Sequence, residues 1–177
     1  MDAGLLQELP LPPRPIPMKP TTIIPVIVAT IAALCVAALG ATVTDLGPWY
    51  QGLAKPAWNP PDVLFPMGWT LIYALITVAG ITAWRAARTS AQAEWVVALF
   101  ALNGFLNITW SILFFRFQRP DWAFWEVVLL WISILAMILY CGRFSKQAAL
   151  LLVPYLGWVS FAAALNWAVV QLNAPFG

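Results

Sequence analysis

The chain reads as an all-α membrane protein, a bundle of five transmembrane helices, and three observations predict this. Of its 177 residues, 62% are hydrophobic and only 9% charged, whereas an average soluble domain is about 25% charged. The mean hydropathy is +0.82, so the chain lacks the polar surface to cover a water-soluble globule. Five apolar segments run at roughly 23–44, 63–84, 95–115, 122–140 and 148–172. Each is close to the roughly 20 residues a helix needs to cross about 30 Å of hydrocarbon. A helix satisfies its own backbone donors and acceptors inside lipid, so these segments are helices rather than strands.

The elements follow in order. Residues 1–20 hold Leu-Pro-Leu-Pro-Pro-Arg-Pro-Ile-Pro-Met-Lys-Pro, and proline's fixed φ and missing donor exclude a regular helix there. This stretch reads as a proline-rich flexible tail, either a bland one or a docking segment, ahead of one five-helix domain over 21–177. The first apolar segment, 23–44, exceeds the usual apolar core of a signal peptide, about 7–15 residues. It is read as a helix, although Ala38-Leu39-Gly40 weakly resembles a cleavage site. The connection 45–62 is the one long loop. Its prolines and glycines argue against helix, yet it keeps Trp49, Tyr50, Leu53 and Trp58. Aromatic residues in a stiffened loop suggest either a lid over the bundle mouth or anchoring at the interface. The remaining connections are short, so sequential helices are neighbours. Trp84, Trp95 and Trp122 fall at segment ends, where an aromatic belt belongs.

Lysine and arginine set the orientation. The tail and the second and fourth loops share one side and carry Arg14, Lys19, Arg85, Arg88, Arg143 and Lys146. The other side carries Lys55, Arg116 and Arg119. The bias places the N-terminus on the cytoplasmic side.

Composition also excludes function classes. There is no histidine, which removes the commonest metal ligand and the commonest general base. Cys35 and Cys141 form no Cys-x-x-Cys pair and read as packing residues, so neither a zinc site nor a disulfide framework is expected. A formal net charge of +2, spread along the chain, leaves no nucleic-acid footprint. Glu126 is the one clearly intramembrane ionisable residue; it is expected to pair with Arg116 or Arg119 or to reach toward water. One carboxylate is a poor basis for an ion-coupled transporter.

Eleven tryptophans are the richest resource left. Trp69 and Tyr73 are i, i+4 on the second helix. Asn107, Trp110 and Phe114 are i, i+3, i+7 on the third, with Asn103 one turn before Asn107. Trp158, Ala162 and Leu165 are i, i+4, i+7 on the fifth, and Ala162 leaves space between larger neighbours. Amides in a membrane helix face protein or a cavity. On spacing alone, a helix-packing stripe is the default reading and an aromatic-walled cavity the alternative. Trp125, Trp131 and Trp167 read as packing residues.

The ordered motifs Trp49-Tyr50-x-x-Leu53-x-Lys55-Pro56-x-Trp58-x-Pro60-Pro61 and Phe65-Pro66-x-x-Trp69-x-x-x-Tyr73 resemble the tryptophan-rich sensory protein family. Its mitochondrial members are called translocator protein or peripheral-type benzodiazepine receptor. Further matches are Asn107-x-x-Trp110-Ser111-x-x-Phe114-Phe115, Phe124-x-Glu126-x-x-x-Leu130-Trp131 and Pro154-Tyr155-x-x-Trp158-x-x-x-Ala162-x-x-Leu165-Asn166. The resemblance spans residues 23–172. It implies a multi-pass protein of a bacterial membrane, inner or outer, or of the mitochondrial outer membrane in a eukaryote. It further implies a homodimer that binds porphyrins, sterols and benzodiazepine-type ligands. The implied ligand residues are Tyr50, Trp69, Tyr73, Asn107, Trp110, Phe114, Trp158, Ala162 and Leu165. The implied lid holds Trp49, Leu53, Lys55, Pro56, Trp58, Pro60 and Pro61. With the resemblance in hand, a cavity becomes the better reading of the aromatic stripes. The family's sterol motif needs a tyrosine and a basic residue late in the fifth helix, where this chain has Trp167 and Gln171.

Three functions follow as expectations. The first is a non-enzymatic receptor that binds porphyrin, haem or metal-free, as a ligand and needs no cofactor. The second is light- and oxygen-dependent porphyrin breakdown using Trp69 and Trp158. The third is a scaffold acting through protein partners, with the proline-rich tail as a contact.

Overall fold

The computed structural model describes residues 23–176, with side chains from residue 26 onward. The proline-rich tail lies outside the described residues. Six α-helices are present: α1 (Ile23–Val43), α2 (Pro48–Gly52), α3 (Leu64–Ala86), α4 (Ser90–Ser111), α5 (Pro120–Gly142) and α6 (Lys146–Asn173). A π-helical turn, Ile112–Arg116, continues α4. Five of these elements are long and apolar enough to cross a membrane, which gives the five-helix, all-α architecture. Many large apolar side chains on them face outward, among them Ile31, Leu71, Phe105 and Leu150, as lipid contact requires.

Three boundaries differ from the sequence reading for local reasons. α4 begins at Ser90 rather than near Trp95, because its first turn is polar yet well capped. The Thr89 hydroxyl accepts from Gln92 N at 3.2 Å, and Gln92 in turn accepts from Arg88 N at 2.7 Å. This reciprocity resembles a capping box. α5 begins at Pro120, a residue suited to a first turn, where its missing N–H costs nothing. The loop expected to exclude helix contains α2. Pro48 opens it at the first helical position, and Leu53 leaves it in extended conformation; proline blocks helix interiors, not helix starts.

The core forms where α5 and α6 pack together. Val127, Leu130, Ile134 and Met137 of α5 meet Leu152, Tyr155 and Val159 of α6, with Ile72 and Ala79 of α3. α1 is the outlier. Only 6% of its apolar window is buried, against 39% for α5. Its partners are α3, α4 and the π turn.

The tryptophans and cysteines divide differently from expectation. Trp122 stands exposed at the start of α5, and Trp95 stands exposed in the second turn of α4. Trp84 is instead half-buried against the cluster of Ala83, Val96, Cys141 and Ala148. Trp131 packs between α5 and α6 and donates to Ser160 Oγ at 2.8 Å. Trp125 is not a packing residue within this chain: it is 72% exposed, because it projects from the face of α5 opposite Val127 and Leu130. Trp167 is about half exposed, resting on Phe124 with ring centroids 4.8 Å apart. Cys141 is buried and Cys35 exposed, so only the first packs as expected.

Candidate functional site

The bundle has a lid end, where α1, the π turn and α6 finish and where α3 and α5 begin. The 45–62 connection is tied across it. Asn173 accepts from Ala54 N and donates to Ala54 O, both at 2.9 Å. Arg116 donates to the Thr42 carbonyl at 3.0 Å.

Beneath this lid lies a cavity of about 480 Å³, within the usual range for small-molecule sites. It gathers all nine ligand residues singled out in the sequence: Tyr50 from α2, Trp69 and Tyr73 from α3, Asn107 and Trp110 from α4, Phe114 from the π turn, and Trp158, Ala162 and Leu165 from α6. Trp69 stacks on Tyr73 at 5.4 Å and meets Trp158 edge to face at 6.0 Å. Trp110 stacks on Phe114 at 5.1 Å. The π turn is what brings both Phe114 and Phe115 to the cavity, since its wider coil changes the register after Trp110. Gly68 makes room for the indole of Trp158: a Cβ there would lie 2.3 Å from Trp158 Cη2.

The lid residues do different jobs. Lys55 lines the cavity. Its ammonium sits 4.1 Å over the Tyr50 ring and donates to Tyr50 O at 2.9 Å, a cation–π contact that fixes its position. Trp49 and Leu53 pack behind the cavity wall, Trp49 edge-on to Phe114 at 5.9 Å. Trp58 lies on Phe161 at 5.9 Å and stays half exposed. Pro56, Pro60 and Pro61 are not among the lining residues; their carbonyls accept from Asn59 N, Asn59 Nδ2 and Leu64 N and so shape the entry into α3.

Polar groups at the cavity are few. The Tyr50 hydroxyl donates to Asp62 at 3.3 Å. Burial, then the charge of Asp62 and that hydrogen bond, push the Tyr50 hydroxyl up to about 12, so it stays neutral across physiological pH. Asn166 accepts from Trp110 Nε1 at 3.0 Å and donates to Pro120 O at 2.8 Å. Asn166, Asn59, Asp62, Phe65 and Phe161 also line the cavity and were not singled out as ligand residues. Asn166 was legible in principle, standing one turn after Ala162.

A buried network sits at mid-bundle. Tyr73 donates to Asn107 at 2.8 Å, Asn107 to Tyr155 at 3.4 Å, Tyr155 to Asn103 at 3.1 Å, and Asn103 to Ser133 at 2.8 Å. The expected pairing of Glu126 is overturned. Glu126 is only 7% exposed, and both carboxyl oxygens lack a hydrogen-bond partner among the described residues. Arg119 pairs instead with Asp121, Nε to Oδ1 at 2.8 Å, and Arg116 is engaged at Thr42. Glu126 stands two turns before Ser133 on the inward face of α5, so its side chain is turned away from both. Trp158 Nε1 is likewise buried without a partner among the described residues. No group of three metal-ligating side chains occurs among the described residues.

The family model described as TspO/MBR matches residues 26–172. The tryptophan-rich protein TspO of Chlorobaculum tepidum is 46% identical over 130 residues, covering 71% of this chain and 79% of that protein. The protein of the same name from Archaeoglobus fulgidus is 41% identical over 137 residues, 75% of this chain and 85% of its own length. The translocator protein of Ovis aries is 33% identical over 126 residues, 71% and 75% respectively.

Proposed function

The chain belongs to the TspO/MBR family of multi-pass membrane proteins, and from that premise we propose that it is a receptor for a flat tetrapyrrole held under its lid. The observation that carries this reading is the convergence of Trp69, Trp110, Phe114 and Trp158, from four separate elements, on one cavity. Aromatic faces and edges suit a planar conjugated ligand. Among the described residues Lys55 is the one basic side chain lining that cavity; its place at the rim suits a porphyrin's carboxylates. The unpartnered Trp158 Nε1 supplies a further donor. No lining residue is a histidine, so recognition rests on shape and stacking, and metal-free porphyrin binds comparably to haem. Sterols are secondary ligands in this reading. The protein acts as a homodimer, sensing tetrapyrrole supply rather than consuming it.

The test is quenching of tryptophan fluorescence by haem and by protoporphyrin. Trp69→Ala and Trp158→Ala are each expected to weaken both affinities about tenfold, the size of a lost aromatic contact. Unchanged affinities for both variants overturn the assignment. The enzymatic alternative, photo-oxidative porphyrin breakdown, draws on the perpendicular Trp69–Trp158 pair at 6.0 Å. Equal bleaching of illuminated porphyrin with and without protein rules it out.

A further inference from the structure

A second, larger cavity of about 890 Å³ lies on the other side of the buried network, between α1, α3 and α4. It runs from Tyr73, Asn107 and Asn103 at mid-bundle to Trp84 and Val96, at the end of the bundle remote from the lid. Its walls are mostly aliphatic and aromatic, and among the described residues no acidic or basic side chain lines it. Gly80 and Gly104 keep it open on the α3 and α4 sides: a Cβ on Gly80 would come 3.1 Å from Phe100, and one on Gly104 3.1 Å from Val36. Because α1 is so sparsely packed, this cleft opens sideways to lipid.

Its deep end is polar in one particular sense. Asn103 and Asn107 are 3% and 5% exposed, and each donates one hydrogen bond from its side-chain nitrogen, to Ser133 and Tyr155 respectively. A side-chain amide has two N–H donors, so each retains one. The oxygens are already engaged, by Tyr155 and Tyr73. The floor therefore offers donors and asks for an acceptor. A charged headgroup has no counter-charge there and would be expelled at this depth.

We infer that this cleft is a second ligand site, for an uncharged, chain-like molecule that dissolves in the hydrocarbon and carries a carbonyl- or hydroxyl-type acceptor oxygen at one end. The acceptor is received by Asn103 and Asn107, and the apolar remainder lies along α1 toward Trp84. A second copy of this chain is the weaker occupant, because a helix laid on the surface does not reach amides this deep. Quinones and sterols share the required chemistry. The site is independent of the lid cavity except at Tyr73 and Asn107, which line both.

The test uses the full chain in detergent micelles, with quenching by decylubiquinone as the readout and cholesterol and squalane as competitors. Ala101 lines the cleft from its exposed side, so Ala101→Phe fills it without disturbing the core; Thr77→Leu is a second variant on the opposite wall. Decylubiquinone is expected to saturate, to lose at least tenfold in affinity in both variants, and to be displaced by cholesterol, whose hydroxyl oxygen is also an acceptor. Haem quenching is expected to stay unchanged in both. A quinone site insensitive to both variants, or displaced competitively by haem, overturns the inference, as does equal competition by squalane, which has no oxygen. A change in oligomeric state with Ala101→Phe and no saturable quinone binding assigns the cleft to chain–chain contact instead. If haem fails to bind while quinone binding responds as expected, the lid-cavity reading fails and this one stands.

Discussion

The two halves of the bundle use their buried polar groups in opposite ways. On the side of Tyr155 remote from the lid, Asn103 and Ser133 are tied into a chain that ends on the Leu130 carbonyl. On the lid side, the carboxyl of Glu126 and the indole N–H of Trp158 are buried with no protein partner among the described residues. An unpartnered buried polar atom costs about 1–3 kcal/mol. Asn166, also on the lid side, is bonded on both its oxygen and its nitrogen, so what that half forgoes lies at these two groups; of them Trp158 lines the cavity, as expected where a cavity is held ready for a ligand rather than closed upon itself.

The strongest way to break this contrast is to close the lid-side cavity from within. Gly68→Leu should push Trp158 out of place and weaken porphyrin binding about 10- to 100-fold, the equivalent of about 1–3 kcal/mol of overpacking. Decylubiquinone binding in the far cleft should be untouched. Loss of both in a chain that still shows native helical circular dichroism would mean the halves are one site. Next in size, Glu126→Leu should raise the midpoint of thermal unfolding in detergent, by the equivalent of about 1–3 kcal/mol. A lowered midpoint would show that the carboxyl has a favourable role this contrast lacks. Tyr73→Phe removes the hydrogen bond at the boundary, about 1 kcal/mol, and should weaken haem and quinone alike by about fivefold. An effect on only one ligand would sharpen the boundary into a wall.

The smallest effect concerns pH. The Tyr50 hydroxyl is raised from its ordinary 10.0 to about 12. A raised value means the folded lid retains a proton that the unfolded chain has begun to lose. Its contribution is therefore complete below pH 10 and is lost as pH climbs toward 12. The midpoint of thermal unfolding measured from pH 7 to 12 should fall in that alkaline window. Tyr50→Phe should flatten the decline, and an unchanged decline would place its cause elsewhere.

The spans were readable because each is a long apolar run. Their ends were less so, since the capped first turn of α4 at Thr89 and Gln92 is polar, and a polar helical turn has the composition of a loop. α2 escaped because Pro48 was weighed as a breaker rather than as a first-turn residue. Helical spacing placed Trp69, Tyr73, Trp110 and Trp158 on shared faces but left packing as the default, because spacing does not reveal whether facing rings touch or stand apart. The resemblance to a known family tipped that choice. The far cleft was invisible, because it arises from what α1 fails to fill. The destination of Arg119 was equally hidden, as it depends on a backbone turn that brings Asp121 nearer than Glu126.

α1 supplies one wall to each cavity, through Val28 and Val36 on one and Gly40 and Ala41 on the other, while contributing little to the core. This has a bearing on assembly. α1 precedes its hosts α3 and α4 in the chain and has least to hold until they are in place, so it waits in lipid while they are made. Four later helices form the solid bundle, and the earliest arrives at its berth last. In hydrogen exchange α1 should consequently be the first stave to loosen, opening both chambers together.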